Sequence, residues 1–321
     1  YMNIYPWQLN LWNEVLSNKI RIPHAQIFYG VKTYEINKFV SEFSKSLLCS
    51  KPTHENFSCG KCQDCLWNET NHPDLKIVDN DSEKNENSDI INVSNIRETK
   101  KFLELTPHQK NGKKIVVFYN AERLTIAASN ALLKTIEEPP NDCLIIFTIE
   151  DIANLLPTIT SRCRLIHLPK PSIEDAKEFL KKTDNVDLIN TLELYNNSPI
   201  ELINEKDMLS NINIILNELK KGGKLDLIKI NAAWLNNGLI WIVNLLQKWS
   251  YEILLSKISQ GQNYFPSNKK IIDELALNAD LGKLLTYHKS LNEIKMYAKK
   301  PVNKEINLNS VMIEYKKIFI K

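Results

Sequence analysis

The feature that most constrains the fold of this chain is a series of short, continuous apolar runs in its first half, separated by segments with helical spacing. Runs of four to six apolar residues bounded by polar residues are typical of strands that are buried on both faces. Such strands, alternating with helices, predict a parallel sheet covered by helices on both sides. The runs lie at residues 25–29, 75–78, 115–119, 143–148 and 164–168.

Amphipathic segments occupy the stretches between these runs. Residues 34–48 place apolar side chains at helical spacing, and so do residues 124–138, which are followed by two prolines. Because proline cannot continue a helix, the second segment is predicted to end there. Between the two, Ser94 is predicted to cap a further helix, which stops near Pro107.

The strand signals stop after residue 169. Residues 173–205 predict two or three short helices, and the pattern is helical from about residue 208 onward. We therefore predict an α/β domain over 1–169, a small helical lid over 170–206 and an all-helical C-terminal domain over 207–321.

Charge and hydropathy give no sign of nucleic-acid binding, of a membrane span or of secretion. With 41 basic and 38 acidic residues the net charge is +3, which does not by itself indicate nucleic-acid binding. The most apolar stretch, 239–246, is far shorter than the ~20 residues of a membrane span. The first seven residues lack the basic and apolar segments of a secretion signal. We expect a cytoplasmic protein that does not associate with membranes.

Four cysteines form the strongest local signal. Cys49, Cys59, Cys62 and Cys65 have the spacing C-x9-C-x2-C-x2-C. In a chain without an export signal, clustered cysteines favour a metal site over disulfides. Four thiolates suit structural zinc, and a closed four-cysteine shell leaves no position for catalysis. The sequence predicts a zinc module over about 49–65, with four reduced, unliganded cysteines as the alternative.

A phosphate-binding loop is the usual element after the first strand of a nucleotide-binding sheet, in the form G-x-x-x-x-G-K-[ST]. Gly30 occupies the position of the first glycine, but Glu35, Ile36 and Asn37 occupy those of the second glycine, the lysine and the hydroxyl residue. A carboxylate repels phosphate, and no lysine lies at the required offset. The chain also has only eight glycines in 321 residues, against a usual ~7%. The sequence predicts a degenerate loop.

The acidic partner of such a loop is missing as well. A carboxylate that binds Mg²⁺ should close the strand at 115–119, but the chain has Asn120 there, and Glu122 comes two residues later. Since neither the lysine nor this acid is present, we expect no ATP to be bound.

Two further motifs carry a family resemblance. Residues 130–140 read N-A-L-L-K-T-I-E-E-P-P, and residues 160–164 read T-S-R-C-R. Together with the cysteine module they resemble subunits of the bacterial DNA polymerase III clamp loader, of the AAA+ family. The motor subunits of that family have intact nucleotide loops, whereas this chain is similar to a subunit with degraded loops. The resemblance covers nearly all of residues 2–169, and 170–321 more weakly.

The resemblance implies a fold and a set of roles. The fold would be an AAA+ core with a lid, followed by a helical collar through which five subunits form a ring. Arg162 would be an arginine finger that reaches the ATP site of a neighbouring motor subunit, positioned by Ser161 and Cys163; a guanidinium there stabilises charge on the γ-phosphate. A salt bridge within the fold is the alternative role for Arg162.

The function implied is that of a catalytically silent subunit of a DNA polymerase (nucleotidyltransferase) complex. Its partners would be the motor subunits (gamma and tau), the delta subunit, the sliding clamp and primed DNA, with zinc as the only cofactor. An active AAA+ motor is one alternative, opposed by the degenerate loop. A zinc-dependent nucleic-acid-binding protein is another alternative. It would need a basic patch beside the cysteines, but only two lysines, Lys51 and Lys61, lie between Cys49 and Cys65.

Overall fold

The computed structural model describes residues 4–17, 22–68, 72–79, 90–108, 112–227, 234, 238–259, 264–297 and 304–319. The chain divides into two compact units, Tyr1–Ser172 and Ile173–Lys321. None of the helices in these described ranges is long and apolar enough to cross a membrane.

The first unit contains a five-stranded parallel sheet with the strand order β2-β3-β4-β1-β5. The predicted parallel sheet is therefore confirmed. Every residue of β3 and β4 is buried, and this explains why their sequences are apolar without alternation apart from Lys114 and Thr148. The strands are β1 Ala25–Tyr29, β2 Leu75–Val78, β3 Lys114–Phe118, β4 Cys143–Ile149 and β5 Arg164–His167.

Helices cover both faces of this sheet. Neighbouring residues of β1 show it, since Phe28 packs into one hydrophobic cluster with Trp12 and Phe39, and Ile27 packs into a second with Phe147. The helices of this unit are α1 Leu9–Leu16, α2 Thr33–Leu48, α3 Gln63–Asn68, α4 Val93–Leu103, α5 Ile126–Glu137 and α6 Pro157–Thr160.

The cap of α4 differs from the prediction. Asn92, not Ser94, is the N-cap, and its Oδ1 accepts hydrogen bonds from the backbone nitrogens of Ser94 at 2.9 Å and Asn95 at 3.4 Å. The side chain of Asn95 closes the reciprocal capping box by accepting from the Asn92 nitrogen at 3.0 Å. Asparagine caps as well as serine, and the partner three residues later decides between them.

The described residues of the second unit form helices joined by turns and short irregular segments, with no strand among them. One hydrophobic cluster joins its early helices to its later ones, from Leu180 to Tyr315. The division of this unit into a lid and a collar stays a prediction. The helices are α7 Ile173–Lys182, α8 Pro199–Asn204, α9 Lys206–Leu219, α10 Leu239–Ser259, α11 Lys269–Asn278, α12 Leu281–Tyr297 and α13 Lys304–Lys317.

A buried hydrogen-bond chain fixes three of these helices to one another. The indole nitrogen of Trp249 on α10 donates to the hydroxyl oxygen of Tyr315 on α13 at 2.9 Å, and that hydroxyl donates to the carbonyl of Leu219 at the end of α9 at 2.8 Å. Since both aromatic side chains are fully buried, the chain satisfies polar groups that would otherwise be costly inside the core.

Candidate functional site

The four predicted cysteine ligands lie together in the structure. Their sulfur atoms are all within 4.8 Å of one another, and the Cys49–Cys62 and Cys59–Cys65 pairs are each 3.8 Å apart. Zinc–sulfur bonds of about 2.3 Å in a tetrahedron place neighbouring sulfurs about 3.8 Å apart. The donor set and its dimensions therefore fit one tetrahedral zinc ion.

Backbone amides point at two of the four sulfur atoms, although burial raises the pKa of the Cys49 thiol. The nitrogens of Lys61 and Cys62 point at Cys59 Sγ at 3.5 and 3.3 Å, and the Cys59 nitrogen points at Cys49 Sγ at 3.3 Å. The bonds from Lys61 and Cys62 lower the pKa of the Cys59 thiol. Gly60, at φ +67°, makes this tight turn possible, because the left-handed region favours glycine.

Aromatic contacts anchor the cysteine segment to the first helix of the chain. The indole nitrogen of Trp12 on α1 donates to the carbonyl of Glu55 at 3.0 Å, and the Trp12 ring stacks on Phe57 with 4.7 Å between ring centroids. Because Trp12 is itself fully buried, the cysteine segment is tied to the hydrophobic core of the unit.

The start of α2, where a phosphate-binding loop would hold its anion, is occupied by a carboxylate of the chain itself. Oε1 of Glu150 accepts hydrogen bonds from the backbone nitrogen and the hydroxyl of Thr33, each at 3.0 Å. Lys32 Nζ lies 3.8 Å from the other carboxylate oxygen. A helix N-terminus attracts anions through its free N–H groups and its dipole. In this chain the anion at the N-terminus of α2 is the Glu150 carboxylate.

The turn between β1 and α2 is covered by a histidine. Gly30 has φ +107°, and a Cβ atom at this position would lie 2.5 Å from the ring of His167. The His167 ring also meets the Tyr29 ring edge-on, with 5.2 Å between centroids. Glycine is required here both by the backbone angle and by the imidazole packed against it.

A chain of hydrogen bonds between uncharged groups joins Asn37 and Asn120, which occupy the positions where a nucleotide site would hold Mg²⁺. The backbone nitrogen of Asn120 donates to Thr148 Oγ1 at 3.2 Å, and this hydroxyl donates to Asn37 Oδ1 at 2.8 Å. The structure thus links Asn37 and Asn120 through the hydroxyl of Thr148. Mg²⁺ prefers carboxylate ligands, and this chain of amide and hydroxyl groups supplies none.

The two remaining loop positions face the protein interior. Ile36, at the lysine position, is fully buried in the core cluster, so its side chain cannot reach a ligand. Glu35 is only 3% exposed. Burial and the Glu35 carboxylate together raise the pKa of Tyr5 to about 12.

Arg162 lies just beyond α6 and forms an ion pair within the chain. Its Nε donates to Oε1 of Glu137 at 2.6 Å, and its Nη1 donates to the carbonyl of Thr158 at 3.0 Å and to Ser161 Oγ at 3.3 Å. The internal salt bridge named above as an alternative role is therefore present. The two N–H groups of Nη2 have no partner among the described residues, and the side chain is 39% exposed.

The residues on either side hold the Arg162 backbone in place. Cys163 packs against the hydrophobic cluster on one face of the sheet, and burial raises the pKa of its thiol to about 12, so the group is neutral. The Arg162 nitrogen donates to the carbonyl of Ile159 at 3.1 Å. Ser161 accepts from the guanidinium through its side chain.

The sequence of this chain was compared with models of known protein families. A family model described as "DNA polymerase III, delta subunit" matches residues 6–172. The chain belongs to the delta prime family of DNA polymerase III subunits. It is 33% identical over 181 residues to "DNA polymerase III subunit delta'" of Pseudomonas aeruginosa, which covers 56% of this chain and 53% of that relative.

Other delta prime relatives differ in the length they share. A delta' subunit of Buchnera aphidicola subsp. Baizongia pistaciae is 28% identical over 315 residues, which is 90% of both chains. The chain spans about half to three fifths of the length of two of these curated delta' relatives, those of Pseudomonas aeruginosa and of Buchnera aphidicola subsp. Schizaphis graminum. A solved gamma subunit-related protein of Thermotoga maritima aligns over 97% of this chain and 99% of that one at 17% identity, with a TM-score of 0.43.

Three residues that contact the β1–α2 turn, the start of α2 or Asn37 and Asn120 in this delta prime chain were not predicted. Thr148 and Glu150 lie at the end of β4, and His167 ends β5. In open parallel sheets, ligands bind at the carboxyl edge of the strands. Polar residues at a strand's carboxyl end are the sequence signal that could have pointed to all three.

Proposed function

We propose that this chain is a non-catalytic clamp-loader subunit of the DNA polymerase III holoenzyme, acting in DNA replication. It helps to load the sliding clamp onto primed DNA, and ATP is hydrolysed by its neighbours. Membership of the delta prime family supports the place in the polymerase complex. The observation that carries the non-catalytic role is the Glu150 carboxylate at the start of α2.

A nucleotide would meet repulsion and missing ligands at this position. A phosphate placed at the N-terminus of α2 would compete with the negative charge of Glu150 for the same N–H group. Mg²⁺ would find the neutral Asn37, Thr148 and Asn120 in place of a carboxylate. The chain therefore binds no ATP and has no ATPase activity of its own.

Arg162 supplies the charge that a neighbouring motor subunit needs. A guanidinium is always protonated and presents N–H groups in a planar fork that matches phosphate oxygens. The exposed side chain and the unpartnered Nη2 of Arg162 support this role. Fingers of this kind contribute roughly 10³–10⁵ in rate where they act fully.

Zinc, held by Cys49, Cys59, Cys62 and Cys65, would have a structural role. When bound it supplies a tetrahedral cross-link with no open coordination position. The four cysteines hold residues 49–65 folded against α1, where Trp12 and Phe57 stack.

The partners follow from the proposed family role. The chain would assemble with the motor subunits (gamma and tau) and the delta subunit in a five-subunit ring. Residues 170–206 would form the lid and residues 207–321 the collar that holds the ring together. The buried chain from Trp249 through Tyr315 to Leu219 supports a rigid helical scaffold in that region.

The test compares the isolated chain with the assembled complex. Calorimetric titration of the isolated chain with MgATP should give no binding; a micromolar dissociation constant would revive the active-motor alternative. In the complex with motor and delta subunits, Arg162→Ala should leave assembly intact while lowering the ATPase rate stimulated by clamp and DNA, and Arg162→Lys should rescue poorly. Wild-type clamp loading by Arg162→Ala would return Arg162 to a purely structural role.

A further inference from the structure

Three of the five N–H groups of the Arg162 guanidinium, those on Nε and Nη1, are directed at acceptors within the chain. We propose that Glu137 is a positioning residue for Arg162: it holds the guanidinium plane so that Nη2 points outward to a phosphate on a neighbouring subunit. This inference rests on the finger role proposed above, and it assigns a function to the last residue of α5.

The contacts divide the guanidinium into a held side and a free side. Glu137 Oε1 binds Nε at 2.6 Å, a short, charge-assisted distance. Nη1 is held by the Thr158 carbonyl at 3.0 Å and by Ser161 Oγ at 3.3 Å. Since the group is planar, fixing Nε and Nη1 also fixes the direction of Nη2, which has no partner among the residues that the structure describes.

Fold stability does not account for this ion pair. The side chains of Arg162 and Glu137 are 39% and 48% exposed, and ion pairs at such exposure add little to stability. Glu137 is also the last residue of α5, where the negative end of the helix dipole disfavours a carboxylate. The effect of the Glu137–Arg162 contact is therefore to orient the Arg162 side chain.

Orientation in advance has a direct effect on catalysis in trans. A free arginine side chain loses rotamer freedom when it binds a phosphate, and this cost falls on the bound state. An arginine that is already held in position loses less conformational entropy on binding the phosphate. Its position also matters, because a small misplacement of a catalytic group lowers the rate strongly. Because the guanidinium stays charged throughout, Glu137 acts on geometry and leaves protonation unchanged.

The chain offers a matched control. Glu138 is the next residue, carries the same charge at the same end of α5, and is exposed, but its carboxylate has no partner among the described residues. Glu138→Gln removes the same charge as Glu137→Gln without touching Arg162. Any difference between the two variants therefore reports the contact with Arg162.

The experiment uses the full chain assembled with motor and delta subunits, and it measures kcat and KM of the ATPase stimulated by clamp and DNA. Glu137→Ala should lower kcat several-fold, by no more than Arg162→Ala does, with KM for ATP and ring assembly unchanged. Glu137→Gln should fall between Glu137→Ala and wild type, because the amide oxygen can still accept from Nε. Glu138→Gln should match wild type.

The double variant Glu137→Ala/Arg162→Ala should equal Arg162→Ala alone. A further loss in that background would overturn the inference, because Glu137 would then act independently of Arg162. A wild-type kcat for Glu137→Ala beside a lowered kcat for Arg162→Ala would also overturn it, with the finger role intact. No effect of Arg162→Ala would overturn the finger role of Arg162 itself, on which this inference rests. If Glu137→Ala does not assemble, equal kcat values for Glu137→Gln and Glu138→Gln decide against positioning.

Discussion

Glu150 and Thr33 are 117 residues apart in sequence, yet Oε1 of Glu150 lies 3.0 Å from both the nitrogen and the hydroxyl oxygen of Thr33. The contact joins the end of β4 to the first residue of α2. It gives the helix an anionic cap from a distant strand, where the residue before the helix, Lys32, makes no capping hydrogen bond with its side chain. The contact caps α2 with an anion, and it is the observation on which we propose that phosphate is kept from this N-terminus.

Removing this cap should weaken the first unit slightly. Glu150→Ala is expected to lower the free energy of unfolding by up to about 1 kcal/mol, the usual value of a helix N-cap, since the pair is partly exposed. Glu150→Gln keeps an acceptor oxygen and should cost less. Urea unfolding measures both. Equal stability of Glu150→Ala and wild type would show that α2 does not depend on this carboxylate.

The sheet could be predicted because burial on both faces has a local signature. The strands β3 and β4 are buried along their whole length and apolar at every position except Lys114 and Thr148, and this continuous pattern is visible in the sequence alone. The four cysteines were predictable for a similar reason, because the ligand spacing lies within seventeen residues of sequence.

The closure of the nucleotide position could be predicted only in part. Asn37 and Asn120 signal the degenerate loop and the missing acid because each falls at a fixed offset from a strand. Glu150 and His167 do not, because their contacts with the first loop depend on which strands are neighbours in the sheet. Strand order is a long-range property, and no local pattern in this chain specifies it.

Zinc content follows from the four sulfur atoms. The purified, reduced protein should contain about one zinc per chain, and Cys59→Ser should lose most of it, because a tetrahedral site needs all four ligands. Cys163→Ala is the control and should keep its zinc, since Cys163 packs in the core away from the four ligands. Metal analysis that finds no zinc in wild type, or full zinc in Cys59→Ser, contradicts the assignment.

A buried ion pair should dominate the stability of β2 and β3. Lys114 Nζ lies 2.9 Å from Asp74 Oδ1, and the two side chains are 5% and 0% exposed. Lys114→Met removes one charge and leaves the other buried, which typically costs about 3–5 kcal/mol. The Asp74 carboxylate would keep its two contacts with the backbone nitrogen of His108, at 2.8 and 2.9 Å, but would lose the charge of Lys114.

The matched control for this pair lies on the neighbouring strand. Lys76 Nζ is 3.4 Å from Glu98 Oε2, and the Glu98 side chain is 67% exposed. Lys76→Met should therefore cost about 0–1 kcal/mol. Urea unfolding of both variants gives the comparison. Similar losses for Lys114→Met and Lys76→Met would mean that the Lys114–Asp74 pair is hydrated in solution.

Acidification should destabilise the helical unit through His288. Its Nδ1 lies 3.0 Å from Ser250 Oγ, and burial lowers the pKa of its imidazole below the usual ~6.5. In the window between the lowered folded pKa and ~6.5, the unfolded chain binds the proton more readily than the folded chain does. The free energy of unfolding therefore falls as the pH drops through this window, and is unaffected by His288 well above it.

The variant His288→Asn isolates this contribution, because the pKa of His72 is also lowered by burial and adds to the wild-type pH dependence. Urea unfolding between about pH 7 and pH 5 should give a flatter slope for His288→Asn than for wild type. If His288→Asn retains the wild-type slope, the imidazole is protonated as easily in the folded chain as in the unfolded one, and the burial of His288 has no part in acid sensitivity.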